Sequence, residues 1–243
     1  MPHASHNSPK IIIANDGGLY LLRIAYKETR ATLKIDNETL GIRILQRLYR
    51  ARKALDRYLK IHPEFFKSLF PLDPRPSAPE TAFLMAEAAY RADVGPSAAV
   101  AGALIDAAVN DAEANHILLE NGGEVYAKVN RETKVGIYAG PSPFSNKIKL
   151  ILKGGENPLG IGTSSASVGQ ALTFGEADAA IAIADSTALA DAAATAICNA
   201  VEGPNLPSLK MGIRTAKKIK GVRGTIIIAG SYMMAWGNIP RLN

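Results

Sequence analysis

The spacing of hydrophobic residues along the chain predicts blocks of strands and blocks of helices. β-Forming residues surround the turn sequence Asn15-Asp16-Gly17-Gly18, so residues 10–35 are expected to form two or three antiparallel strands. From Asn37 or Glu38 to about Lys60, apolar residues recur every three or four positions. This period predicts a long helix with one apolar face and one basic, solvated face.

The next part of the chain predicts a connector followed by two helices. His62-Pro63 ends the long helix, and the proline-rich residues 71–79 predict an extended segment. One helix is predicted over residues 80–93 and a second from residue 98 to about residue 114. Between them, Val94-Gly95-Pro96-Ser97 interrupts the helical pattern with residues that suit a new helix start.

The second half of the chain is predicted to contain mainly strands. Residues 116–126 predict two strands joined by the tight turn Asn121-Gly122-Gly123. The other predicted elements are strands at 134–139, 146–152, 179–184 and 224–229, a loop at 154–158, a helix at 206–220 and a closing segment at 231–243. Because strands and helices come in blocks, we expect an α+β fold with a mostly antiparallel sheet flanked by helices. Residues 10–243 are expected to form a single domain after a disordered tail, residues 1–9.

Residues 160–201 combine a polar segment, a β-like run and an alanine-rich helix. The polar segment predicts a hydroxyl-rich loop that contains Gly162, Thr163, Ser164, Ser165 and Ser167. The helix carries Asp191 and Thr195, which lie four positions apart and therefore share a face, about 6 Å from each other. A carboxylate and a hydroxyl at one point suit a hard cation such as Mg²⁺.

A purely structural interpretation of this helix competes with the chemical one. Alanine-rich helices pack closely on sheets, and Asp185-Ser186-Thr187 would supply an ordinary N-cap. Asp191 favours chemistry because a buried carboxylate is costly unless it is paired, hydrogen-bonded or metal-bound. An Asp191 that faced solvent would remove that argument. Ser97, at a helix start that could meet a phosphate, and Gly102, which suits a close backbone approach, are supporting features only.

Composition and charge narrow the classes of function. The net charge of +6 and the pI near 9.4 suit a small anionic ligand, but the basic residues are spread along the chain without an aromatic-rich motif. We therefore expect no nucleic-acid partner. The single cysteine, Cys198, excludes an internal disulfide and is expected to be buried in a protein of a reducing compartment. With no secretory h-region and no run of roughly 20 apolar residues, we expect a cytoplasmic protein without a membrane partner.

Four motifs occur in an order that resembles a known family. They are DVGPSAAVAGALIDA (93–107), LENGGEVYAK (119–128), GTSSASVG (162–169) and ADAAATA (190–196). Together they resemble the signatures of the ApbE-like superfamily, which contains the FAD:protein FMN transferases and the thiamine biosynthesis lipoprotein-like proteins. The segments HPEFFKSLFPL, VGIYAGPSPFS and MMAWG extend a closer resemblance, to an uncharacterised branch of that superfamily, over most of the chain.

The resemblance implies an α+β fold that binds FAD, with Mg²⁺ at the pyrophosphate. An Asp and a Thr of an ADAxATA helix hold that metal in the characterised branch, and they correspond to Asp191 and Thr195 here. The residues that would form the cofactor site are Ser97, Gly102, Asn121, Gly122, Gly123, Glu124, Thr163, Ser164 and Ser165. Glycines admit a ligand close to the backbone, and hydroxyls with free amides bind phosphate or ring edges. Glu124 could also act on a water or simply finish a hairpin, and the hairpin is the favoured interpretation.

Two departures from the transferase pattern leave the catalytic residues unassigned. Ala101 stands where the transferases carry a lysine, and Gln170 stands where they carry a histidine. Without those groups the sequence offers no clear general base. Three hypotheses therefore stay open: a Mg²⁺-dependent enzyme that cleaves or transfers part of FAD or a related nucleotide, a non-catalytic protein that holds a flavin, another cofactor or a partner protein in the same pocket, and a site that only packs. A homodimer contact through Tyr232, Met233, Met234 and Trp236 is a further hypothesis.

Overall fold

The computed structural model describes residues 12–168 and 173–243, so the predicted tail of residues 1–9 and Gln170 lie outside the described residues. Twelve strands occur there: β1 Ile12–Asp16, β2 Leu19–Tyr26, β3 Thr29–Ile35, β4 Ile117–Asn121, β5 Glu124–Lys128, β6 Thr133–Gly136, β7 Lys149–Leu152, β8 Leu159–Ser164, β9 Ala179–Ala184, β10 Val222–Ala229, β11 Tyr232–Gly237 and β12 Arg241–Leu242. Six α-helices accompany these strands: α1 Glu38–Ile61, α2 Pro63–Lys67, α3 Glu80–Ala92, α4 Val100–Val109, α5 Thr187–Asn199 and α6 Leu206–Lys218. A 3₁₀ turn, Pro96–Ala99, leads into α4.

The strands form two antiparallel sheets. The large sheet has nine strands in the order β1-β2-β3-β4-β5-β8-β9-β10-β11, and β12, β7 and β6 form a small sheet. Every pair of neighbouring strands is antiparallel. The predicted α+β class and the mostly antiparallel sheet are therefore confirmed.

The two halves of the large sheet are covered differently. Helices α1 and α4 pack on one face of β2, β3 and β4, and β3 alternates between buried and more exposed residues because its other face meets solvent. The β9 run, AAIAIA, is buried on both faces. Its residues 180, 182 and 184 face the helices, whereas residues 179, 181 and 183 face the small sheet. This half consequently has three layers.

Helix α5 lies at the centre of the helical layer, and three glycines allow it to approach its neighbours closely. A Cβ on Gly102 of α4 would lie 2.3 Å from the carbonyl oxygen of Thr187. A Cβ on Gly160 of β8 would lie 2.4 Å from the carbonyl oxygen of Ser186, just before α5. A Cβ on Gly162 would lie 2.2 Å from the carbonyl carbon of Ala190 in α5. Such distances are far below van der Waals contact, so a side chain at any of these positions would force the backbones apart.

Most predicted elements are confirmed, but β6 ends at Gly136 rather than at residue 139 and β7 begins at Lys149 rather than at residue 146. Three further details are wrong. Helix α4 ends at Val109 rather than near residue 114, because the chain turns away through Asp111, whose φ is 55°. The short helix α2 follows directly after Pro63 and was not predicted. The predicted hydroxyl-rich loop starts too early: residues 162–164 belong to strand β8, where small residues are needed beneath α5.

Candidate functional site

Asp191 and Thr195 lie on the same face of α5, as their spacing predicted. Both side chains are half-buried, whereas the residues between them, 192–194, are fully buried. Asp191 is therefore neither a solvent-facing carboxylate nor a sealed one. Its environment is one in which a carboxylate needs partners.

The main partners of Asp191 are amides at the start of α4. The backbone N–H of Gly102 donates a hydrogen bond to Asp191 Oδ2 at 2.9 Å. Burial raises the pKa of Asp191 to about 7, and the charge of Asp106 acts in the same direction, against the hydrogen bonds from the amides of Gly102 and Ala101. The carboxylate is thus stabilised by the positive end of a helix but remains short of compensating charge.

Glu124 places a second carboxyl group next to Asp191. It begins β5, is only 5% exposed, and its pKa is raised well above the usual range by burial and then by the charge of Asp191. The backbone N–H of Thr163 in β8 donates to the Glu124 carboxylate, which opposes that shift. Glu124 therefore does more than end a hairpin, because it connects the turn, β8 and α5.

The predicted turn Asn121-Gly122-Gly123 is present and is fixed against α4. Strands β4 and β5 pair from Asn121 with Glu124, so the two glycines form the loop, with φ values of 73° and 115°. Only glycine adopts such values readily. The buried Asn121 side chain donates from Nδ2 to the carbonyl oxygen of Ala101 at 3.4 Å. The turn is thereby placed beside the α4 amides that face Asp191.

A third acidic side chain, Glu120, folds back over this turn. The N–H of Gly123 donates to Glu120 Oε1 at 3.0 Å. Burial raises the pKa of Glu120, against hydrogen bonds from the amides of Gly123 and Gly122. In this structure the turn amides are therefore directed at a carboxylate of the chain itself.

The three hydroxyl residues at the end of β8 have different environments. Thr163 meets Glu124 through its amide, and Ser164 is buried in the strand. Ser165 accepts hydrogen bonds at its Oγ from the N–H groups of Ser167 and Val168, at 3.1 and 3.0 Å, and so shapes its own turn. The structure brings Thr163 to the acidic side chains and leaves Ser165 in a local structural role.

The side-chain hydroxyls of Ser97 and Thr195, like those of Thr163 and Ser164, have no hydrogen-bonding partner among the described residues. Ser97 lies in the 3₁₀ turn one step before α4, and this turn packs against α3 and α5. Thr195 follows Asp191 by one helical turn. Both hydroxyls are available to a ligand.

Asp106 is a half-buried acidic residue beside the candidate site that the sequence analysis missed. It lies on α4 and accepts hydrogen bonds from the first amides of α5, Thr187 N to Oδ1 at 3.0 Å and Ala188 N to Oδ2 at 2.8 Å. Its pKa is raised by burial, against these hydrogen bonds. The signal was available, because a lone aspartate in the apolar sequence VAGALIDAAV raises the same question that was asked of Asp191.

The described ion pairs leave the acidic groups of the site uncompensated. None of these ion pairs includes Asp106, Glu124 or Asp191. The described residues also contain no group of three or more His, Cys, Asp or Glu side chains arranged to hold a metal ion. A cation here would therefore take few ligands from the protein. Mg²⁺ commonly binds in this way, through one or two protein oxygens together with phosphate oxygens and water.

The described histidines lie away from this cluster. His116 precedes β4 and its Nδ1 lies 3.0 Å from Asn130 Oδ1, at the opposite end of the strand from Asn121. His62 caps the end of α1. A groove of about 410 Å³, lined by residues that include Arg47, Arg50 and Asp111, lies at the other end of α4 from Gly102. Neither of these two histidines is therefore placed to act as a general base at Asp191.

Solved structures with the same fold define the class of protein. The flavin transferase ApbE from Vibrio cholerae has a TM-score of 0.55, covering 95% of this chain and 97% of that chain at 11% identity. The apo form of the Pseudomonas stutzeri flavinyl transferase ApbE has a TM-score of 0.56, covering 95% and 94% at 13% identity. The fold is therefore the ApbE-like α+β fold, as the resemblance implied.

Sequence comparison then gives the family within that class. The family model described as AbpE bacteria matches residues 12–219, and the chain belongs to this family. A UPF0280 protein of Methanocaldococcus jannaschii is 38% identical over 223 residues, covering 90% of this chain and 91% of the relative. A UPF0280 protein of Methanosarcina acetivorans is 34% identical over 220 residues, covering 89% and 86%.

The length and hydropathy of the helices bear on whether the chain could span a membrane. Within the described part of the chain, no single helix is long and apolar enough to cross a membrane. Segments Glu80–Ala92 and Pro96–Val109 together have the length and composition, but they are bent by 107° at the break between them.

Proposed function

We propose that this protein is a Mg²⁺-dependent enzyme that cleaves FAD, or a related nucleotide containing a pyrophosphate, or transfers part of it. The observation that carries the proposal is the half-buried pair Asp191 and Thr195, beside the buried carboxyl group of Glu124 and without a basic partner among the described ion pairs. A divalent cation would neutralise this charge and take its remaining ligands from phosphate oxygens.

Each part of the site has a role in this proposal. Asp191 and Thr195 would hold Mg²⁺, which neutralises the pyrophosphate and the departing nucleotide. The α4 amides of Ala101 and Gly102 hold the Asp191 carboxylate in place. The glycines of the 122–123 turn allow the backbone to approach a ligand, and Ser97, Thr163 and Ser164 line the same region as candidate hydrogen-bonding groups. The catalytic base stays unassigned.

A non-catalytic flavin- or cofactor-binding protein is the second candidate function. It is favoured by Ala101, whose methyl side chain has no titratable group, and by the distance of His62 and His116 from Asp191 in the fold. Such a protein would bind the nucleotide without releasing AMP. A cytoplasmic location and a homodimer through β11, where Tyr232 and Met233 are about 40% and 38% exposed, remain predictions of this proposal.

Titration of the purified protein with FAD, FMN and ADP, with and without Mg²⁺, tests the proposal. We expect Mg²⁺ to be required for tight binding of FAD and ADP, and chromatography of the reaction to reveal AMP and FMN. A ligand at a hundredfold excess over its Kd raises the free energy of unfolding by about 2.7 kcal/mol, so binding is also measurable as a thermal shift.

The variant Asp191→Asn is expected to lose the Mg²⁺-dependent part of binding. Asp111→Asn is the matched control, because Asp111 is exposed at the far end of α4 and asparagine tolerates its positive φ. Binding without AMP release would favour the second candidate function. Binding of no nucleotide, with or without Mg²⁺, would overturn both.

A further inference from the structure

Phe174 is an exposed aromatic side chain on a segment that is hydrogen-bonded to the C-terminal end of α5. Its side chain is 64% exposed. Single exposed apolar residues are common on protein surfaces, so the place at which the backbone holds this ring matters more than its exposure. The segment just after the undescribed residues 169–172 presents this ring.

The backbone around Phe174 is tied to the C-terminal end of α5. Its N–H donates to Asn199 Oδ1 at 2.8 Å, and Thr173 Oγ1 donates to the same oxygen at 2.9 Å. Gly175 packs so closely that a Cβ there would lie 1.7 Å from the carbonyl oxygen of Cys198. The ring is therefore carried by an anchored backbone, and holding it against a ligand costs little conformational entropy.

Asn199, which holds Phe174, continues the line of Asp191 and Thr195 along α5. The three residues follow at intervals of four, so Asn199 lies less than a quarter turn around the helix from Asp191. At 1.5 Å per residue, it lies about 12 Å further along the axis. A ribityl chain, several bonds long, separates the phosphate of a flavin nucleotide from its ring on this scale, whereas the ribose of an adenine nucleotide is shorter.

We propose that Phe174 is a stacking platform for the planar ring of the nucleotide whose pyrophosphate is held at Asp191 and Thr195. The inference rests on the proposed function and adds the class of ligand, namely a nucleotide with an aromatic ring that contributes to affinity. Aromatic rings stack with offset faces, and base stacking on a protein aromatic is sequence-tolerant because every such ring has a π-face. The shared chemistry fits a flavin or an adenine ring.

The test compares Phe174→Leu with Phe174→Trp, and uses FAD, FMN and ADP as probes in the presence of Mg²⁺. Leucine keeps an apolar side chain but removes the ring, and we expect about tenfold weaker binding of the ligands whose ring stacks there. Tryptophan is expected to restore the affinity. Weaker FAD and FMN with unchanged ADP would assign the flavin ring, whereas weaker FAD and ADP with unchanged FMN would assign adenine.

Phe83→Leu is the matched control, since Phe83 is also exposed but lies on α3, whose buried positions pack against α5. We expect its nucleotide affinity to equal that of the wild type. Wild-type affinity of Phe174→Leu for all three nucleotides would overturn the inference and leave the proposed function standing. Failure of the wild-type protein to bind any nucleotide would overturn both. A thermal unfolding curve for each variant separates lost stacking from lost folding.

Discussion

Asp106 and Asp191 are two aspartates through which α4 and α5 cap each other, and their surroundings differ. Asp106 of α4 binds the first amides of α5, with hydrogen bonds from Thr187 and Ala188. Asp191 of α5 binds the first amides of α4, with a hydrogen bond from Gly102. Each carboxylate therefore caps the positive end of the other helix.

The difference lies in the charge beside each aspartate. Asp106 has a hydrogen bond to each carboxylate oxygen, burial raises its pKa against these hydrogen bonds, and its acidic neighbour is Asp191. Asp191 has Asp106 as a further negative neighbour and itself raises the pKa of Glu124. At the start of α5, both oxygens of the capping carboxylate accept hydrogen bonds. At the start of α4, the capping carboxylate has two acidic neighbours, so negative charge is in excess there. Burial is the largest cause of the raised pKa at both aspartates, and the second acidic neighbour, Glu124, distinguishes Asp191 from Asp106.

The largest expected effect comes from separating the two helices. In Gly102→Ala the added Cβ would lie 2.3 Å from the carbonyl oxygen of Thr187, so α4 and α5 must move apart and both caps must lengthen. We expect a loss of about 3 kcal/mol or more in the free energy of unfolding, measured by urea denaturation.

Gly136→Ala is the matched control, because a Cβ on Gly136 has no atom within 4 Å. A change within about 0.5 kcal/mol is expected there. If Gly102→Ala were as stable as Gly136→Ala, the helices would not depend on this contact and the comparison of the two caps would fail.

The next effect isolates the completed cap. Asp106→Asn keeps the shape of the side chain but replaces one acceptor oxygen with an NH₂ group, which faces an α5 amide that is also a donor. We expect the free energy of unfolding to fall by about 2 kcal/mol, with Mg²⁺-dependent nucleotide binding retained. Unfolding and titration are measured on the same sample, with Asp111→Asn as the charge-matched control. Loss of binding without loss of stability would reverse the assignment of the two aspartates.

The last effect concerns the cap formed by Asp191 and depends on pH. The pKa of Asp191 rises from 3.8 in the unfolded chain to about 7 in the fold, so the folded protein binds more protons between these values. Stability from this group is full below about pH 4 and is lost as the pH rises through 7. Glu124 acts in the same direction, because its pKa is also raised.

We therefore expect the metal-free protein to lose stability from pH 4 to pH 7, and Asp191→Asn to lose less. At pH 8 in EDTA the variant should be more stable than the wild type, by at least about 1 kcal/mol. Urea denaturation at several pH values measures both slopes. Identical slopes for the two proteins would show that Asp191 is ionised in the fold without cost.

Local signals in the sequence predicted the elements well. The turn Asn121-Gly122-Gly123, the N-cap Ser186 and the run AAIAIA each depend on neighbouring residues, and each lies where it was predicted. Residues 162–164 were wrongly assigned to a loop, because their small and polar side chains resemble loop residues. Small residues are needed there because α5 packs closely on β8, and no local pattern in the sequence reveals that contact.

The site could be predicted only in part for the same reason. The spacing of Asp191 and Thr195 on one helix face is a local property, so the pair was found. Asp106 binds amides 81 and 82 positions away along the chain, and Asn199 binds Thr173 and Phe174, 26 and 25 positions away, so tertiary packing decides where these residues lie. Ser165 was included by motif, although its hydroxyl serves its own turn.

The pairing of β3 with β4 has a consequence for the order of folding. Ile35 lies opposite Ile117 in adjacent strands, so residues 36–116, which include α1 to α4, separate two neighbours in the sheet. Closing a loop of roughly eighty residues costs about 3 kcal/mol more entropy than closing a two-residue hairpin. The N-terminal strands can pair among themselves early, whereas the nine-stranded sheet becomes continuous only once four helices have collapsed onto it. The candidate site, assembled from α4, α5 and the β4–β5 turn, is therefore expected to form late in folding.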